Sequence, residues 1–163
     1  MNYHDILHCD FNNSLDGVGV TLFVSGCKGH PNCKGCHNPQ TWEYDSGKKF
    51  EEKDKIEIFN ELNKRDVKVL TITGGDPLSP LNRPDILSLV KEVKEKYPDK
   101  KIWVYTGFLY EDVKDLEILK YIDVLVDGPF IEEKRDPTTC FIKGSSNQRV
   151  LRLYNGEIYE ELD

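Results

Sequence analysis

The sequence predicts an α/β fold, a partial and open parallel (β/α) barrel that ends in a short C-terminal hairpin. Three observations carry this expectation. Four apolar runs rich in β-branched residues, at 18–24, 67–73, 101–107 and 122–129, read as strands covered on both faces, which is how parallel strands are buried. Amphipathic stretches lie between the later runs, so the order β, α, β, α, β, α, β predicts right-handed crossovers between parallel neighbours. The 163 residues suffice for one domain, 1–163, with a real core, but fall short of the about 250 that a complete eight-stranded barrel takes.

Residues 1–17 are mixed in character and close on Asn12-Asn13-Ser14-Leu15-Asp16-Gly17, a run of turn formers that reads as a lead-in. The first strand follows at 18–24. Beyond it, residues 51–64 place Ile56, Phe59 and Leu62 three apart, with acids in the first turn and Lys64-Arg65 at the end, which suits the helix dipole. The strand at 67–73 runs straight into Gly74-Gly75-Asp76-Pro77. From 84 to 97, Ile86, Leu87, Val90 and Val93 mark a second helix, with Pro84 near its first turn and Pro98 past its end. A third strand covers 101–107. A third helix is expected over 111–121 from Val113, Leu116, Ile118 and Leu119, and the fourth strand ends in Asp127-Gly128-Pro129. Residues 136–148 read as a loop, and the Asn155-Gly156 turn between 149–153 and 158–159 reads as a terminal hairpin.

The net charge of −7 and isoelectric point near 5.2 give no cationic surplus to neutralise phosphates, so direct action on nucleic acid is not expected. No run approaches the roughly 20 apolar residues of a membrane span, and the first residues lack a basic and apolar leader, so a soluble, cytoplasmic chain is expected. Five cysteines, three of them in one loop, fit a reducing compartment better than a disulfide framework. Cys9 and Cys140 stand alone and are given no chemical role.

Chemistry concentrates in Cys27, Cys33 and Cys36, spaced C-x5-C-x2-C in a glycine-containing loop directly after the first strand. Three thiolates can wrap one soft metal centre. A structural zinc site is normally closed by four ligands, whereas an iron-sulfur cluster with three protein ligands leaves one iron open to a substrate. Two other readings stay available. His30 or His37 can complete a Cys3His zinc site, and Cys33-Lys34-Gly35-Cys36 can be a thioredoxin-like redox pair. The ends of the other strands converge on the same rim. Gly74-Gly75 alone is an ordinary strand-to-helix turn, but beside an open cysteine site its bare backbone carbonyls can accept from a ligand's ammonium group. Asp76 and Asp127 read either as turn, cap or ion-pair residues or as ligand-binding groups.

Ordered blocks along nearly the whole chain carry a resemblance to a known family. They are Met1-Asn2-Tyr3-His4, the run from Thr21 to Cys27, Cys33-Lys34-Gly35-Cys36-His37-Asn38 with Thr41-Trp42, Gly74-Gly75-Asp76-Pro77-Leu78, Pro84-Asp85-Ile86-Leu87, the run from Ile102 to Gly107, Val124-Leu125-Val126-Asp127-Gly128, and Gly144-Ser145-Ser146-Asn147-Gln148. In these the sequence resembles the activases of anaerobic ribonucleoside-triphosphate reductases, small glycyl-radical-generating members of the radical S-adenosylmethionine (SAM) superfamily. It departs from them in having five rather than three residues between the first two cysteines, and His37 where an aromatic residue, commonly tyrosine, is usual.

The resemblance implies a radical SAM type of barrel and an oxidoreductase in which Cys27, Cys33 and Cys36 hold one [4Fe-4S] cluster. The open iron would chelate the amino and carboxylate groups of SAM. One electron would then cleave SAM, and the 5'-deoxyadenosyl radical would take hydrogen from a glycine of the partner reductase. By the same resemblance Gly74, Gly75 and Asp76 belong to the cofactor site with the methionyl end at the glycines, Gly35, Cys36 and His37 lie near the nucleoside, and Asp127 reaches the ribose. The implied partners are the large subunit of the reductase and an external electron donor such as flavodoxin. The remaining alternatives are activation of another glycyl radical enzyme and a zinc-stabilised interaction domain without catalysis.

Overall fold

The computed structural model describes residues 1–135, 137 and 142–162. Cys140 lies outside the described residues, as does part of the loop expected at 136–148. In chain order the elements are β1 (Asn2–Asp10), β2 (Gly19–Val24), β3 (Lys48–Lys49), α1 (Glu52–Leu62), β4 (Val69–Gly74), α2 (Arg83–Lys96), β5 (Lys101–Tyr105), α3 (Tyr110–Val113), β6 (Val124–Asp127), β7 (Arg149–Tyr154) and β8 (Glu157–Leu162). All eight strands form one sheet in the order β3-β1-β2-β4-β5-β6-β7-β8.

The expected partial (β/α) barrel is not what forms. The central strands β2, β4, β5 and β6 do run parallel, but antiparallel strands extend them on both sides, β1 and β3 beyond β2 and β7 and β8 beyond β6. The sheet is mixed, open at β3 and β8, and among the described residues it carries three α-helices, of 11, 14 and 4 residues. The lead-in at 1–17 contains a nine-residue strand, and the terminal hairpin is part of the main sheet. β1 shows no apolar alternation because only Tyr3 and Asp10 along it are buried. The third helix stops after one turn: Leu116 takes extended backbone (φ −71°, ψ 130°), and a 3-10 turn over Glu117–Lys120 brings Ile118 and Leu119 to the core instead. On α1 the buried apolar face is Ile58, Phe59 and Leu62, while Ile56, expected inside, is exposed.

The two faces of the sheet differ, and this difference positions the site. Alternate strand residues point to opposite sides. Leu70 and Ile72 of β4, Ile102 and Val104 of β5, Leu125 of β6 and Leu151 of β7 share a large core with α1 and α2. Their neighbours Val69, Trp103, Val124, Val126 and Val150 form a smaller cluster on the other side. There the cover is loop, not helix: the Asn13 carbonyl accepts from Thr71 Oγ1 (3.2 Å) and Tyr105 Oη (3.3 Å), and Asp16 accepts from Trp103 Nε1 (2.7 Å) and Arg152 Nη2 (2.9 Å). Among the described residues no helix is long and apolar enough to cross a membrane.

Burial alone would raise the Asp16 carboxyl, but hydrogen bonds from Arg152 and Trp103 outweigh it and hold the group below its ordinary 3.8. A carboxyl that ionises more readily folded than unfolded contributes stability above 3.8, and that contribution disappears as pH falls through the lower folded value. Asp16→Asn is therefore expected to cost about 1–3 kcal/mol at neutral pH. The difference from the parent chain should shrink at about pH 2, as measured by denaturant unfolding at the two pH values.

Candidate functional site

The helix-poor face opens, at the carboxyl ends of the parallel strands, into a cleft of about 510 Å³. That is the size range of small-molecule sites. Its floor is Phe23, Thr73 and Tyr105, the last outward-facing residues of β2, β4 and β5. Cys27, Cys33, Cys36 and His37 line one wall, with Gly74, Gly75 and Gly107 beside them and Gly128, Gly144 and Gln148 across. The sequence-expected convergence of strand ends is thus present in space.

The chain around the first cysteine is held on both sides. Gly26 N donates to Thr41 O (2.7 Å), Cys27 N to Trp42 O (2.9 Å) and Lys28 N to Ser79 Oγ (2.8 Å). Gly75 makes this approach possible. A Cβ there would stand 2.5 Å from Gly26 O and 2.8 Å from Thr41 O, both backbone atoms that cannot turn aside. Gly75→Ala is expected to push the Cys27 segment outward, cost about 1–3 kcal/mol, and lower the iron bound per chain after anaerobic reconstitution. Thermal unfolding and iron analysis read the two effects separately.

Further along, Gly35 adopts φ +73° in the turn where Cys36 N donates to Cys33 O (3.3 Å), and Asn38 N points at Cys36 Sγ (3.3 Å). Gly35 packs against the Glu132 carboxylate and does not line the cleft. All three cysteines are free and half-buried. Burial pushes the Cys33 thiol up, and nearby Cys27 and Cys36 add to it. A thiol bound to metal is deprotonated outright. Among the described residues, no three His, Cys, Asp or Glu side chains are gathered tightly enough to hold a single metal ion. Zinc would need its ligands within about 2.3 Å of one point. A cubane cluster takes each thiolate at a different iron, so three half-buried thiols around one cleft fit it.

His30 does not behave as a free ligand. Its Nε2 donates to Asp76 Oδ2 (2.6 Å) and lies 3.9 Å from Cys27 Sγ, its Nδ1 faces Pro31 O (3.1 Å), and its ring meets Phe108 edge-on at 4.7 Å. The hydrogen bond to Asp76, then the Cys27 contact, raise its pKa to about 11 against the opposing effect of burial, so the ring is an imidazolium with both nitrogens occupied. His37 is exposed at the cleft mouth, its ring tilted against Phe130 at 5.3 Å.

Asp76 and Asp127 are both fully buried and neither lines the cleft. Asp76 accepts from Leu78 N (2.8 Å), Thr106 Oγ1 (2.9 Å), Gly107 N (2.9 Å) and His30. It joins the end of β4, the end of β5 and the cysteine loop. Asp127 accepts from Tyr110 N (2.7 Å) and from Arg149 through Nε (2.9 Å) and Nη2. Sequence reasoning did not find the His30 and Arg149 ties, because both join positions far apart in the chain. Phe130 lay in none of the resemblance blocks, while Tyr105 lay in the run from Ile102 to Gly107 without a role assigned to it.

Three curated relatives resemble this chain along almost its whole length. Each is named an anaerobic ribonucleoside-triphosphate reductase-activating protein. That of Enterobacteria phage T4 is 46% identical, with 92% of this chain and 93% of the relative covered. Those of Escherichia coli K12 and Pasteurella multocida are 41% and 42% identical, over 94% of this chain and 99% and 98% of theirs. A family model described as a 4Fe-4S single cluster domain matches residues 15–151. This chain belongs to the family of anaerobic ribonucleoside-triphosphate reductase-activating proteins.

No solved structure matches the chain significantly. For a member of this family, the matched cluster domain spans the cysteine loop, the glycine pair and the Gly144 to Gln148 side of the cleft. The five-residue stretch between Cys27 and Cys33 carries His30, which spans from the cysteine loop to the Asp76 carboxylate.

Proposed function

We propose that this chain, acting as one domain, is a radical SAM activase that installs a glycyl radical on an anaerobic ribonucleoside-triphosphate reductase. The observation that carries the reading is the cleft itself, where three half-buried thiols, the glycine pair and an exposed aromatic ring surround one space. Family membership and the matched 4Fe-4S domain support it. Cys27, Cys33 and Cys36 hold the [4Fe-4S] cluster. When bound there, the cluster would supply the single electron for reductive cleavage of SAM, with the hydrogen atom of a reductase glycine leaving in 5'-deoxyadenosine. The electron comes from an external donor such as flavodoxin.

The protein's own work is placement. Gly74 and Gly75 leave room for the methionyl end, and Arg135 and Lys143 bring positive charge to the cleft lining, which suits its carboxylate. His37 and Phe130 offer ring faces near Cys36 for the adenine. Asp76 and Asp127 serve by position: one locks β4, β5 and the cysteine loop together, and the other fixes Arg149 beneath the Gly128 wall. No side chain is needed as acid or base. Because His37 is exposed and the cysteines half-buried at the mouth, a protein loop has access, and the reductase completes the enclosure.

The test is to combine the reconstituted protein with reductant, SAM and the reductase. The reading expects 5'-deoxyadenosine and methionine in equal amounts and a glycyl radical signal in the reductase. Intact SAM, or a radical formed only on a different glycyl radical enzyme, would sink it.

A further inference from the structure

Among the described residues, two buried side-chain polar atoms have no hydrogen-bond partner, Trp42 Nε1 and Glu61 Oε2. Only Trp42 lines the cleft. An indole N–H can donate but never accept, so no tautomer relieves it, and a buried donor left unpaired keeps its full desolvation penalty. The backbone cannot easily carry the ring elsewhere. Trp42 O is bonded to Cys27 N (2.9 Å) and Thr41 O to Gly26 N (2.7 Å), while Trp42 N is held by Pro39 O (3.3 Å). The buried Asp76 carboxylate beside the cysteine loop is already occupied by four donors. Among the described residues, Trp42 Nε1 is left without an acceptor.

We infer that Trp42 is a positioning residue whose Nε1–H is held ready for a negatively charged acceptor entering the cleft, either a cluster sulfur or the carboxylate of SAM. The two share one chemistry, an anionic acceptor beside the cysteine wall. A donor to a cluster sulfur favours the reduced, more negative state and raises the reduction potential. A donor to the carboxylate instead strengthens cofactor binding. The inference rests on the cluster and cofactor reading given above.

Trp42→Phe keeps an aromatic ring and removes the donor. Without cluster, the variant should lose only the packing of the smaller ring, because the donor it loses was unpaired. After anaerobic reconstitution, both proteins should bind equal iron and sulfide, and two measurements then separate the sources. If a cluster sulfur is the acceptor, the midpoint potential without SAM moves to more negative values in Trp42→Phe. If the carboxylate is the acceptor, that potential is unchanged and the SAM dissociation constant rises about tenfold. Equal potential and equal affinity overturn the inference. A parent chain that takes up no cluster overturns instead the reading on which the inference rests.

Discussion

Asp76→Ala is expected to destabilise the protein by about 3–5 kcal/mol, the range for removing one partner of a buried, hydrogen-bonded charge pair. The carboxylate is fully buried and accepts from the backbone of Leu78 and Gly107, the Thr106 hydroxyl and the His30 ring. Its removal strands the His30 imidazolium in a half-buried position and leaves three further donors without an acceptor. The ends of β4 and β5 and the cysteine loop lose their common anchor. Asp76→Asn should be milder in packing, but its amide must turn an N–H towards one of these donors. Urea unfolding of the cluster-free chains gives both costs. A loss below about 1 kcal/mol for Asp76→Ala, the level of a solvated surface pair, would contradict the central place given to this carboxylate.

Replacing Cys27, Cys33 or Cys36 by alanine, one at a time, is expected to reduce cluster content to a small fraction of the parent and abolish SAM cleavage, while the cluster-free fold persists. The three side chains are half-buried at a cleft wall and contribute little to the main core. Cys9→Ala, at an exposed position on β1, should retain the full cluster. Iron and sulfide analysis with circular dichroism on the four variants checks this. An alanine variant of a cleft cysteine that keeps the full cluster would remove that residue from the ligand set.

The parallel centre of the sheet was legible because β2, β4, β5 and β6 are buried on both faces and so appear as unbroken apolar runs. From there the rim and its cysteine loop followed. The edges were less legible for the opposite reason. Most of β1 and all of β8 are partly or fully exposed; β1 looks like loop in its polar sequence, and β8 was legible only as the far side of the Asn155-Gly156 hairpin. The expectation of a (β/α) barrel failed at these edges, since antiparallel β1 and β3 on one side and β7 and β8 on the other extend the parallel centre into an open, mixed sheet. A similar limit applies to the acids. Asp76 and Asp127 look alike in sequence, each ending a strand before a turn, and only the folded chain shows that Thr106, His30, Tyr110 and Arg149 consume them.

The central claim is a cluster with one iron open to SAM, and the most direct measurement is electron paramagnetic resonance of the anaerobically reconstituted, dithionite-reduced protein with and without SAM. The account predicts a reduced-cluster signal that shifts when SAM is added. A protein that binds tight zinc and no cluster, or a cluster signal that ignores SAM, would contradict it.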